Sequence, residues 1–580
     1  MKCCDFAIYS YGIYCECIEH SVLIFLNILN LIMLRERQVQ GLTALLQGDS
    51  FEWSALVLDK EGQDIISPLF VMSDLMEMGI VQCLKMEDKR VELPGIRVVY
   101  FVEATEQNTG SILQDIEDDL YERIEIIFTG IISTSLLKDF SLKVAALKQA
   151  NRITRITDAI TTISLLHEDI YSLNMDKSYV RTTRISQELL KDQAVVERPM
   201  EEHNQALAKE KKPSTDDSAE NDSLYYEHIV MGLCSVFKDT EIPAIYYNDP
   251  VAQRVSTELV DKLSDISEVH QRQTTSKTKR RKKPLLIVLS RDEDLVGPMY
   301  HTNLYGSVLN EVFEFSMNKL VISDPINKQD LIDNASYNLN KHDSFYNKNI
   351  NEPFLSVLDI VNGELQNYKD SSHTASINMS SDNDKMIRSL VKLPGLLNNN
   401  KLLYNHMNIV LNAIKVIQKK HLDELFLIEE GNALDLPEIE EIIDKIDRND
   451  VIRLNIVVFS KFSRQFNEVS KLSEKHLKND KIVNYVRNRT VQQSTKGKIL
   501  HNLKKMIGVQ KDGIIRRVHE VFSRQTEEYS SVNVFIIGGG TYDEYKSVLD
   551  FGRANKIDVT YGSTEILSAY ELMAQIEEIE

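Results

Sequence analysis

The chain has 580 residues, 43% hydrophobic and 27% charged, with 67 Lys and Arg set against 87 Asp and Glu. That length corresponds to about four folding units, and the composition excludes collagen-like and wholly disordered chains. The net charge of −20 repels phosphate backbones and excludes nucleic acid as a partner unless a local basic stripe overcomes it.

In chain order, the first feature is an apolar run from Ser21 to Leu34, about 14 residues long and broken by Asn27 and Asn30. A bilayer span takes about 20 apolar residues, and a signal peptide needs a basic start and a small-residue cleavage site. Here Asp5, Glu16 and Glu19 outweigh Lys2. Cys3, Cys4, Cys15, Cys17 and His20 offer zinc ligands, but C-x-C spacing without a second matched pair is a weak signal. Residues 1–33 are therefore expected to be an extension, either a docking segment or a stretch outside the native protein, with Met33 standing just before the first regular pattern. The other two cysteines, Cys83 and Cys234, are too sparse for a disulfide framework, so the body of the chain reads as cytoplasmic with reduced thiols.

From Leu34 the spacing of Val39, Leu42, Leu45 and Leu46 predicts a helix. Strands follow at Ala55–Leu58 and Arg97–Val102, with a helix between them capped by Ser73 and ended by Gly79. Such alternation predicts a parallel sheet with helices on its faces. Residues spaced by three or four, among them Leu137, Phe140, Val144, Leu147, Ile153, Ile156, Ile160 and Ile163, predict helix from Leu136 to Leu173.

Glu197–Asp222 lacks an apolar period and reads as a solvated linker, as does Ser264–Lys283. Strands are predicted at Ile242–Tyr247 and Leu285–Leu289. Asn/Ser/Asp-rich stretches at 324–351 and 370–384 flank an amphipathic piece at Phe354–Tyr368. Leu403, Met407, Val410, Leu411, Ile414 and Ile417 predict a long helix, and helices dominate to about Val486. Strands return at Val532–Ile537 and Ile557–Thr560. A helical block between two α/β stretches implies an insertion into an α/β domain.

Three motifs bear on chemistry. Gly538-Gly539-Gly540 follows an apolar strand, where backbone N–H groups can cradle a phosphate. Yet Asp543 stands where a dinucleotide loop needs glycine, no Lys-Ser/Thr follows, and Asp558 opens the next strand rather than ending it. A tight strand-to-helix turn explains the glycines as well. The run KTKRRKK at 277–283 has six basic residues in seven, but no aromatic residue interleaves to stack on bases, so it reads as a solvated connector. No catalytic frame such as G-x-S-x-G or H-E-x-x-H is present. His301 with Asp294 would make an acid–base pair, but Asp294 and Arg291 are equally placed for a structural ion pair. His167 reads as an exposed helix end.

RDEDLVGPMYH at Arg291–His301, after the strand PLLIVLS, resembles the strand-and-turn motif of the Sec-one/Munc-eighteen (SM) family, regulators of SNARE-driven membrane fusion. LRERQ (Leu34–Gln38), DKEGQDIISPLF (Asp59–Phe70), VVYFVEATEQN (Val98–Asn108), VFIIGGGTYDEY (Val534–Tyr545) and TYGSTEIL (Thr560–Leu567) are similar to its Sly-one branch. The blocks span nearly all of the chain from Leu34 onward. Ser290, Asn303 and Gly306 depart from the family's usual Asp, Trp and Gln.

The resemblance implies an arch of α/β and α domains. A first α/β domain covers residues 34–150. A second is made from residues 151–299 and 491–580, and a mainly helical third domain, residues 300–490, is inserted in it. It implies a monomer with no cofactor, metal or enzymatic activity, which binds a syntaxin-type SNARE and its helical bundle, associates peripherally with endoplasmic reticulum and Golgi membranes, and promotes vesicle fusion between them. The branch's pocket for the syntaxin N-terminal peptide, matched by motif, falls on Leu137, Phe140, Ser141, Ile153 and Ile156. Ser141 replaces a small apolar residue there, so a shallower or wetter pocket is expected. Core packing between two helices is the competing reading of the other four. A nucleotide- or sugar-phosphate-binding enzyme built on the Gly538–Gly540 turn is the alternative function.

Overall fold

The computed structural model describes residues 34–48, 52–90, 92–93, 95–196, 216–271, 282–323, 335–371, 401–477, 480–496, 513–524 and 528–579. The N-terminal cysteine group, most of the linker at 197–222 and most of the basic run at 277–283 lie outside them.

The first unit runs α1 (Leu34–Gln47), β1 (Ser54–Leu58), α2 (Lys60–Ile66), α3 (Met72–Glu77), β2 (Ile80–Lys85), β3 (Arg97–Val102), α4 (Glu106–Glu117), β4 (Arg123–Phe128), α5 (Thr134–Leu147) and β5 (Ile153–Asp158). Its strands form a parallel sheet in the order β2-β1-β3-β4-β5. Helices cover both faces, which is why β3, RVVYFV, is buried along its whole length. Val98, Tyr100 and Val102 face a core shared with α4 and α5. Val99 and Phe101 face the opposite core.

The second unit begins with β6 (Ser164–Leu165), β7 (Ile170–Ser172), α6 (Ser178–Val196), α7 (Asp216–Phe237), β8 (Ala244–Tyr247), α8 (Pro250–Gln271) and β9 (Leu285–Ser290). The chain then leaves the sheet. It forms α9 (Tyr305–Val312), a three-stranded antiparallel sheet of β10 (Glu314–Ser316), β11 (Lys319–Ile322) and β12 (Ala335–Asn338), and α10 (Ser344–Asn349). Helices follow: α11 (Phe354–Ser371), α12 (Lys401–Lys420), α13 (Leu422–Glu430), α14 (Leu436–Ile443), α15 (Arg448–Lys461), α16 (Phe466–Leu472), α17 (Lys481–Lys496) and α18 (Gly513–Arg524). Only then do β13 (Ser531–Ile537), α19 (Tyr542–Asn555), β14 (Asp558–Ser563) and α20 (Ala569–Glu577) complete the sheet, in the order β6-β7-β14-β13-β9-β8. Val532–Ile537 lies parallel and in register with Leu285–Ser290. Residues between β9 and β13 are thus an insertion into one sheet.

A continuous apolar core joins the two units. It takes Leu56, Val99 and Phe101 from the first sheet, Leu286, Val288, Phe535 and Ile537 from the second, and Ile229, Val230 and Leu233 of α7 from between them.

Several local expectations are corrected. Ser73 lies inside α3, whose N-cap is Val71; the Val71 N–H donates to the Asp74 carboxylate at 3.1 Å. The long helix expected from Leu136 ends at Leu147, because Lys148 turns left-handed with φ 58°. β-branched Ile153, Thr154, Ile156 and Thr157 then form a strand. That strand, β5, completes the first sheet and lies beyond residue 150. α8 continues through the expected connector to Gln271, with Ile266 extending the apolar stripe of Leu263. α7 begins within the expected linker, at Asp216, and buries Tyr225 and Tyr226 further along. His167 is buried, not exposed. Its Nε2–H donates to the Asn347 carbonyl at 3.0 Å, so Nδ1 accepts from the Tyr545 hydroxyl at 3.1 Å, and burial holds the ring below its ordinary pKa.

Candidate functional site: the apolar flank of the first sheet

α5 starts where the Ser133 hydroxyl accepts from the Leu136 N–H at 3.2 Å. It lays Phe140 and Val144 against the sheet, with Leu136, Leu137 and Leu147 half-buried around them. Phe140 is 1% exposed and forms the floor. The Ser141 hydroxyl donates to the Leu137 carbonyl at 2.5 Å, so this polar substitution is satisfied within its own helix.

The partner of α5 is the edge strand β5, not a second helix. In a regular strand a spacing of three would put Ile153 and Ile156 on opposite faces. A bulge prevents this. Ile153 pairs with Ile124, the register then shifts, and Ile156 pairs with Ile126. Ile124 and Ile126 both face the core under α5, so both isoleucines of β5 lie on that side. Leu137, Phe140 and Ile153 therefore join one cluster, and Ile156, 39% exposed, extends it to water. Val144 and Leu147, one and two turns beyond Phe140, continue the floor; their helical spacing was the signal for them.

The opposite face of β5 is pinned. Arg155 meets Glu125 at 2.7 Å, and Glu125 meets Arg97 at 3.2 Å. The two guanidinium groups donate to the Leu45 and Leu46 carbonyls at the end of α1, each at 2.6 Å. Cations at a helix C-terminus satisfy its orphan carbonyls. One face of the edge strand is thus held rigid while the other leaves apolar surface open.

The glycine turn behaves differently. The Gly538 and Gly539 N–H groups donate to Thr564 Oγ1 at 3.0 and 3.1 Å. The Gly540 N–H donates to the Glu565 carbonyl at 2.8 Å. The Thr541 N–H reaches Glu544 Oε2 and the Tyr561 hydroxyl, and the Glu544 carboxylate pairs with Arg291 at 2.5 Å. The donors that would cradle a phosphate are consumed by the chain itself, and a buried carboxylate sits at the helix N-terminus. Gly538 and Gly539 have φ of 96° and 98°, which explains the glycines by backbone conformation. Asp558 opens β14, at the end of the sheet away from the turn.

Neither expected pairing of Asp294 forms. Its carboxylate accepts from the Val296, Gly297 and Gly513 N–H groups. His301 instead meets Glu429, with Nδ1 2.7 Å from Oε1. Its Nε2 is 3.8 Å from Asp450, an ionic contact too long for a hydrogen bond. Burial and Arg453 oppose a charge on His301, but Glu429 and Asp450 outweigh them and hold its pKa above the ordinary value.

A mixed polar cleft of about 1020 Å³ opens elsewhere, beside Leu34, His167, Asn347 and Tyr545, with no contribution from α5 or β5. Among the described residues, Glu61, Glu103 and His228 form a group with metal-ligand spacing. No helix among them is long and apolar enough to cross a membrane.

The model of the Sec1 family matches residues 54–521. "SEC1 family transport protein SLY1" of Encephalitozoon cuniculi is 25% identical, covering 94% of this chain and 99% of its own. The crystal structure of Sly1p in complex with an N-terminal peptide of Sed5p superposes with a TM-score of 0.67 at 19% identity, over 94% of this chain and 99% of Sly1p. The SM protein Vps45 in complex with the Qa SNARE Tlg2 gives 0.69 at 16% identity, over 94% and 98%. The match takes in strands of both parallel sheets and the helices inserted into the second, and on it the chain belongs to the Sec1 family.

Proposed function

We propose that the protein is a non-catalytic SNARE-binding regulator of vesicle docking and fusion, working in transport between endoplasmic reticulum and Golgi. It is a monomer of the cytoplasm, held at those membranes through its SNARE partner. The first sheet unit, extended to Asp158, binds the N-terminal peptide of a syntaxin-type SNARE. The second sheet is the body of the arch, and the inserted helices take the SNARE bundle.

The observation that carries this reading is the open apolar flank between α5 and β5, in a fold whose relative Sly1p holds an N-terminal peptide of Sed5p. An aromatic anchor entering beside Leu137, Ile153 and Ile156 would rest on Phe140. Support for the second contact sits on α11. That helix packs against α12 while Leu355 stays 69% exposed, an apolar residue offered to a partner helix. Holding two SNAREs together would raise their effective concentration for zippering.

Calorimetric titration with synthetic syntaxin N-terminal peptides tests the pocket. The expected result is saturable binding that Leu137→Lys removes while unfolding stays cooperative. Unchanged affinity in that variant refutes the placement. Liposome fusion with and without the protein tests the second contact, and equal rates count against it.

A further inference from the structure

The first sheet has a crevice of its own. Its order β2-β1-β3-β4-β5 sends the chain one way from β1 and the other way from β3, and parallel sheets bind ligands outside the carboxyl ends of strands at such a switch point. Glu61 stands in the first turn of α2, just past β1, and Glu103 directly past β3. His228 reaches the same place from α7 of the second unit. One ligand atom from each of the three lies within 4.8 Å of the others.

Two independent observations mark the group as incomplete. His228 Nε2 is shut off from solvent with no hydrogen-bond partner, and the buried Glu61 carboxylate turns to the Thr129 hydroxyl just past β4. Buried polar atoms in native proteins are satisfied with few exceptions, and each exception calls for an explanation. The surrounding charge is also one-sided. Glu103, Asp59 and Asp64 all press like charge on Glu61. Asp59 is already committed to the Gly62 and Glu103 N–H groups and to Asn108, and Asp64 to Asn174. Arg181 is the cation acting on His228, against three carboxylates around Glu61.

We infer that Glu61, Glu103 and His228 bind a divalent ion of the zinc class, which clasps the first sheet to α7. One imidazole with two carboxylates is a donor set that zinc accepts, leaving a fourth position for water. Magnesium and calcium prefer oxygen ligands throughout. Glu103 is exposed and gives the ion its way in. Because β1 and β3 belong to one unit and α7 to the other, the bound ion resists their separation.

The test uses the full chain, stripped with chelator and titrated with Zn2+ against a chromophoric competitor, with Co2+ as a spectroscopic stand-in. The expected result is one ion per chain, no thiolate charge-transfer band with Co2+, and a higher unfolding midpoint on loading. Glu103→Gln, on an exposed residue, and His228→Gln should each weaken binding by roughly tenfold or more. A thiolate band would place the ion on the cysteines and overturn the proposal. So would affinity unchanged in Glu103→Gln, the absence of stoichiometric binding, or equal binding of Mg2+ or Ca2+.

Discussion

The carboxyl ends of the two parallel sheets invite comparison. Both are places where an α/β protein can hold a ligand, and the second carries the motif that looks more like a binding loop. Yet the turn at Gly538–Gly540 has every N–H engaged by Thr564, Glu565, Glu544 or Tyr561. The first sheet, with no recognisable loop motif, leaves His228 Nε2 buried without a partner beside the Glu61 and Glu103 carboxylates. Whether a crevice is a site depends on what its polar groups already bind. A glycine-rich sequence is a poor guide to that.

The sharpest way to break the comparison is to remove what completes the second crevice. Arg291 and Glu544 are both almost fully buried as a pair, so Glu544→Ala strands a buried guanidinium. Chemical denaturation should show a loss of about 3–5 kcal/mol. A loss well under about 1 kcal/mol would mean that water reaches the turn and that it is less closed than its hydrogen bonds imply. Gly539→Ala is the next largest. It imposes a side chain at φ 98°, where the new Cβ would overlap Leu567, and should cost about 1–3 kcal/mol. Calorimetry with nucleotides should show no binding to the native chain.

The α5–β5 flank sharpens the contrast from the other side, since it is open apolar surface rather than unfinished polar chemistry. Burying most of an aromatic anchor contributes roughly 1.5–3 kcal/mol. Leu137→Lys should therefore raise the dissociation constant for a syntaxin N-terminal peptide by roughly tenfold to a hundredfold. Ile156→Lys, at the exposed rim, should cost less than Leu137→Lys. The reverse order would move the anchor outward along β5.

Much of this was legible in the residues, and the failures have physical causes. The strands buried on both faces, RVVYFV and LLIVLS, announced themselves as continuous apolar runs, and the insertion followed from where strands stop and resume. The flank's residues were legible only through the family resemblance. Their geometry was misread, because Ile153 and Ile156 at a spacing of three imitate a helical face that a β-bulge reproduces in a strand. The Glu61–Glu103–His228 group carried no signal, since its members lie far apart in the chain and meet only when α7 docks on the first sheet. His301 looked like a partner for Asp294 by proximity in sequence, but its true partners, Glu429 and Asp450, come from distant helices.

That last network supplies the smallest expected effect and a third case, in which buried charges complete one another. The His301 pKa is raised in the folded chain, so protonation favours the native state. Its stabilising contribution is fully present below the unfolded value of about 6.5 and is lost as pH rises through the folded value. Arg453, which opposes the imidazolium, keeps its charge throughout. Asp450, hydrogen-bonded and beside Arg453, is held below the ordinary carboxylate value and so favours the imidazolium throughout. The stability difference between the native protein and His301→Gln should be largest below the unfolded value of about 6.5 and shrink as pH rises through the folded value. A difference that grows with pH would mean that His301 is held neutral, and that Glu429 and Asp450 are completed by Arg453 and Tyr570 alone.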